Sequence, residues 1–146
     1  MATHFRQIFP RPNWLKDQMN GPTELLANWL LRAWNTIGQV QEWIEIGESN
    51  APAFENSWAN VGGSYETAAF YRDPFGRVHI KGAVDTGTSG TTAFTLPEGY
   101  RPAATLRLAC YSTGNAYVEI TSAGLVQPQR SGSAANYLGI SFRAEQ

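Results

Sequence analysis

Asp85-Thr86-Gly87-Thr88-Ser89 places a carboxylate on a glycine turn with hydroxyls just behind it. Two such carboxylates sharing a proton can divide the work on a water molecule, one as base and the other as acid. The same glycine-rich stretch could cradle a phosphate, but it lacks the Gly-Lys-Ser/Thr lysine, and a strand rather than a helix follows it. His4 and His79 are the only histidines, without metal-ligand spacing. His79 reads as an outward strand residue. Cys110 is the single cysteine, which excludes an internal disulfide and a thiolate cluster; it reads as a small buried hydrophobe. Glu98 and Glu119 lie on a corner and a strand without a partner carboxylate for glycoside hydrolysis, and no Gly-x-Ser-x-Gly elbow supports a serine nucleophile. These residues predict no catalysis, no cofactor and no metal.

Binding is the better use of the polar residues. Tyr111-Ser-Thr-Gly-Asn115-Ala-Tyr117 sets tyrosines on either side of small polar groups, the mixture common at recognition surfaces. Gln127 to Asn136, with Arg130, reads as a second exposed polar loop. The candidate ligand-binding residues are therefore Tyr111, Asn115, Tyr117, Arg130 and Asn136; the alternative is a pair of solvated hairpins.

The elements that must position them are short strands. Val78, Ile80 and Gly82 alternate with His79 and Lys81, the period of a half-buried strand. Alternation and turn chemistry predict strands at 65–71, 77–84, 91–96, 105–111, 116–121, 125–128 and 137–143, at the spacing of an antiparallel β-sandwich or jelly roll. Pro97-Glu-Gly99-Tyr-Arg-Pro102 forces a corner between two of them. Upstream, residues 23–46 read as one helix with Thr23 as cap and Glu24 at the positive end of its dipole. Leu26, Leu30, Ala33, Ile37, Val40 and Ile44 recur at the a/d spacing of a coiled coil, and the β-branched residues among them favour three strands over two. Gly38 weakens the helix by about 1 kcal/mol against alanine, so the helix bends or stops there. The alternative is one amphipathic helix packed on its own β-domain. Residues 1–22 are too apolar for a disordered tail and too rich in proline for a helix. Phe5, Phe9, Arg11 and Trp14 suit an extended arm that docks on another protein, the alternative being an arm folded back on its own stalk. The expected organisation is arm 1–22, helical trimerisation stalk 23–46, linker 47–63 and β-sandwich head 64–146.

The chain has 146 residues, 42% hydrophobic and only 16% charged, with fourteen glycines and eight prolines. The charge content lies well below the roughly 25% of an average soluble domain; with five tryptophans it suggests surface covered by other subunits. A net charge of −1 argues against nucleic acid as the main partner. No signal peptide and no apolar run long enough to span a membrane are expected.

GRVHIKGAV followed by GTSGTTAFTLPEGYRP resembles the C-terminal head domain of bacteriophage tail-fibre, minor tail and receptor-binding proteins. The likeness begins at Trp58 and the AFYRDPFG turn and runs to the closing GISFRA. It implies a homotrimeric virion protein without catalysis, in contact with other virion proteins and with a host-surface glycan or protein. Host recognition at the tail is the leading expectation. A capsid decoration or head-fibre trimer, held by its N-terminal arm, is the alternative. Ala83-Val84-Asp85-Thr86-Gly87-Thr88-Ser89 also looks like the active-site loop of aspartic proteases, although the strand ending in ISFRAEQ leads into no helix. That is the minor enzymatic alternative.

Overall fold

The computed structural model describes residues 5–7, 24–37, 39–112, 114–130 and 135–144. The chain is mainly antiparallel β and divides into two compact units, one up to Glu42 and one from Trp43 on.

In the first unit, β1 (Phe5–Gln7) pairs antiparallel with β2 (Gln39–Gln41), Phe5 opposite Gln41. Between them in sequence lies α1 (Glu24–Ile37). Leu26, Trp29 and Leu30 recur at the three- and four-residue spacing of one helix face, and all three are exposed. The helix stops immediately before Gly38, where the loss of propensity was greatest. The predicted helix to Ile46 is thus corrected: Val40 lies in β2, and Ile44 lies in β3 (Ile44–Glu45), paired with Phe70 and half-buried against the core. Neither belongs to a helical seam. Phe5 has a strand partner within its own chain, whereas Phe9, Arg11 and Trp14 lie outside the described residues.

The second unit contains two sheets. β4 (Ala59–Asn60), β5 (Ala69–Arg72), β6 (Arg77–Asp85) and β11 (Asn136–Arg143) join β3 in one, ordered β11-β6-β5-β3 with β4 on the far end of β6. β7 (Phe94–Thr95), β8 (Leu106–Ala109), β9 (Tyr117–Ile120) and β10 (Leu125–Gln129) form the other, ordered β7-β10-β9-β8. Successive side chains of a strand point to opposite faces. One face of the first sheet therefore buries Phe70, Val78, Ile80, Leu138, Ile140 and Phe142; the second sheet adds Phe94, Val118, Ile120 and Val126 to the same apolar cluster. Each such side chain contributes about 1.5–3 kcal/mol when fully buried. Leu106, Leu108 and Cys110 pack half-buried on that cluster. The Pro97 corner closes with the Tyr100 amide on the Pro97 carbonyl at 3.2 Å, and Gly99 supplies its positive φ of 83°. Arg72 donates to the Gly99 carbonyl at 2.9 Å and the Tyr100 ring meets Phe70 edge-on, tying the corner to β5.

The expected linker 47–63 is instead part of this unit. Phe54 packs against the core, Trp58 is 2% exposed, and β4 pairs with Val84 and Asp85. Its two turns have the composition of a connector, but Trp58 within it is buried and Phe54 packs half-buried on the core.

A candidate recognition surface

Tyr137, the second residue of β11, lies on the face opposite the core, because Asn136 and Leu138 on either side of it point inward. Its strand partner on β6 is Ala83. Ala83 is small and buried, and on its other side its amide donates to the Glu66 carbonyl at 3.1 Å, bringing Tyr65 alongside. Across the outer edge of β11, the Tyr137 amide donates to the Tyr111 carbonyl at 2.9 Å. Backbone pairing thus lines up three tyrosines. The Tyr65 and Tyr137 ring centroids lie 5.2 Å apart and those of Tyr137 and Tyr111 5.5 Å apart. Tyr111 is 75% exposed and Tyr65 50%. The Tyr137 pKa is raised above its usual value, first by a hydrogen bond with Tyr65, then by burial, and then by the charges of Tyr65, Tyr111 and, last, Asp85.

Of the loop residues expected to bind, Tyr111 belongs to this row and Asn115 is exposed. Tyr117 is half-buried on β9 and its ring carries the Arg107 guanidinium at 5.5 Å, while Arg107 pairs with Glu119 at 2.7 Å. Two expectations are corrected. Asn136 is fully buried, and its Oδ1 accepts from the Cys110 thiol at 3.7 Å. Cys110 is half-buried rather than fully buried, and the burial it has pushes that thiol's pKa up. The Arg130 side chain is only 6% exposed, far from a surface contact. Its Nη1 donates to Asp85 Oδ1 at 2.6 Å and its Nη2 to the Gly87 carbonyl at 2.8 Å, with the guanidinium 5.0 Å above the Trp58 ring. Both residues sat in a polar run that composition alone reads as solvent-facing. Tyr65 and Tyr137 went unassigned as site residues, since only strand register brings them beside Tyr111.

The Asp85 turn is held as a clamp. Thr86, at φ 67°, donates its hydroxyl to the Ser57 carbonyl at 2.5 Å. Gly87 lies so close to Trp58 that a Cβ there would fall 2.1 Å from the indole, and the indole N–H donates to Thr91 Oγ1 at 3.0 Å. Burial tends to raise the Asp85 pKa, but the hydrogen bond from Arg130, the Thr86 backbone amide and the Arg130 charge together bring it below the usual value. An acid–base dyad works through a carboxyl that keeps its proton; this environment favours the carboxylate. His79 is stacked on Tyr71 and bound to Asp73 Oδ2 at 3.1 Å. Among the described residues no three of His, Cys, Asp or Glu converge as a metal site.

No family model matches the chain, and no curated protein is significantly similar to it.

Proposed function

We propose that the chain is a bacteriophage virion protein of the tail-fibre or tail-tip type, whose second unit is a β-sandwich head that binds the host surface. The observation carrying this reading is the tyrosine cluster in which exposed Tyr65 and Tyr111 flank the half-buried Tyr137, offered by a unit whose other large apolar residues are mostly in the core. Rigid tyrosines give large contact area at low entropic cost. The head would act in threes, with the exposed Leu26–Leu30 face of α1 and Ala33 as the subunit contact, multiplying weak single-site affinities. Light scattering is expected to give three times the chain mass, and Leu30→Asp a monomer whose second unit stays folded; a monomeric wild-type protein would end the trimer model.

A second reading draws on the shortness of α1. Its 14 residues span about 21 Å, little for a shaft that must reach a cell. This favours a capsid decoration or head-fibre trimer in which residues 1–22 dock on the capsid. Antibody labelling of intact particles under the electron microscope separates the two. Label at the tail tip is the expected result. Label spread over the head would replace host recognition with decoration, and unlabelled particles would remove both.

A further inference from the structure

We infer that the open edge of β11 docks an extended acidic segment of a partner protein, added as a further strand beside Gly139, Ser141 and Arg143 with a carboxylate set against Arg143.

β11 pairs with β6 in unbroken register, from Asn136 opposite Val84 to Arg143 opposite Arg77. Alternate residues of a strand aim their N–H and C=O groups to opposite sides. The Ala144 amide, on the β6 side, donates to the Gly76 carbonyl at 3.0 Å, and the Tyr137 amide, on the outer side, donates to the Tyr111 carbonyl at 2.9 Å. Gly139, Ser141 and Arg143 share the side of Tyr137, and among the described residues nothing pairs with their main-chain groups. Edge strands are usually blunted by proline, lysine, a bulge or shortness. This one has eight residues and none of those devices. Donor and acceptor groups recurring every second residue, at about 6.8 Å, match the main chain of another extended segment. A small anion would satisfy the donors alone.

The charge on this strip asks for an acid. Arg143 stands directly opposite Arg77 on the face away from the core, and like charges so placed repel. Arg77 leans onto β11, donating to Ser141 Oγ at 3.0 Å. Among the described residues no carboxylate lies within ion-pair distance of either guanidinium. Asp73, ahead of Arg77, is occupied by His79 and by the Phe75 and Arg77 amides, while Glu45 and Glu66 answer Lys81 further along β6. Directly opposite residues of an antiparallel pair project to the same face. A glutamate of an added strand placed opposite Arg143 would therefore meet its guanidinium.

A second copy of β11 could make the same hydrogen bonds, centred on Ser141 with Gly139 opposite Arg143. That arrangement would bring Arg77 and Arg143 of both copies onto one continuous face with no acid between them. An acidic segment makes the hydrogen bonds and also neutralises the arginines, so it is the better occupant.

The test uses the full-length protein and a fluorescent peptide alternating threonine and glutamate, read by anisotropy beside the same peptide with lysine in place of glutamate. The glutamate peptide is expected to bind at least about tenfold more tightly than the lysine one, and less tightly as salt is added. Arg143→Ala should weaken it roughly fivefold, the worth of one exposed ion pair. Gly139→Pro should abolish it with thermal melting unchanged. The Gly139 amide faces the open edge and a Cβ there meets nothing within 4 Å, so the ring removes a docking donor and no bond to β6. Arg77→Glu with Arg143→Glu should reverse the preference between the two peptides, a result that a folding defect does not produce. Failure of the glutamate peptide to bind would overturn the proposal, as would equal binding of both peptides or binding untouched by Gly139→Pro. A fall in the protein's own oligomeric mass on Gly139→Pro would overturn it too, giving the edge to a second copy of the chain.

Discussion

Gly82→Ala is expected to cost at least about 3 kcal/mol of stability. The cost arises twice at one position. Gly82 holds φ at +108°, a conformation L side chains rarely adopt, and a Cβ there would sit 2.4 Å from the Thr67 carbonyl oxygen and 2.5 Å from Ala68. Both neighbours are backbone, so no side-chain rotation relieves the clash. The segment pressed against Gly82 also carries Tyr65, and the Ala83 amide holds it through Glu66. The substitution should therefore disturb the Tyr65–Tyr137 contact as well as lower the urea midpoint. Gly139→Ala is the control: it lies on β11, and a Cβ there would meet nothing within 4 Å. Its effect should stay within about 0.5 kcal/mol. Equal costs at the two glycines would refute the close-approach account.

Strands in this chain are legible because their signal is local. The alternation around Val78 and Ile80, and that of Leu138, Ile140 and Phe142, needs no partner to be seen, and β6 and β11 lie within a residue of the expected spans. Leu106, Leu108 and Cys110 share a core-facing side for the same reason. The helix was overextended because Val40 and Ile44 fall on apolar spacings that fit a heptad as well as they fit short strands. Gly38 marked the actual end. The tyrosine row was illegible for a different reason. Alternation says that Tyr137 faces away from Leu138, but it does not say that Ala83 is its neighbour or that Tyr111 borders it. Those are facts of register, decided by the whole sheet. Arg130 misled for the complementary reason, since its partner Asp85 lies 45 positions away. A polar run looks solvated until the buried charge that answers it is found.

That pairing gives the second large effect. Asp85→Asn is expected to destabilise the second unit by about 2 kcal/mol, because it leaves the Arg130 guanidinium buried without its countercharge. A fully buried pair would cost more; the Asp85 side chain is 34% exposed, and water screens part of the interaction. The pH dependence has a definite sign. Asp85 is held below its ordinary value, burial being outweighed by Arg130 and the Thr86 amide. Asp73 is held low as well, burial there being outweighed by the Arg77 and Phe75 amides together with His79. A carboxyl with a depressed folded pKa stabilises fully above its unfolded value of about 3.9. It loses that contribution as pH falls through the lower folded value. The wild-type protein should thus lose stability below about pH 4, and Asp85→Asn should lose less over the same interval while starting from a lower plateau. Denaturation midpoints at pH 7 and pH 3 for both proteins measure the difference. The same variant bears on chemistry at this turn. If Asp85→Asn kept the wild-type midpoint at both pH values and abolished cleavage of a peptide, Asp85 would be a reacting group. With Arg130 seated on its carboxylate and Gly87 pressed on Trp58, the expected outcome is the reverse: a weakened fold.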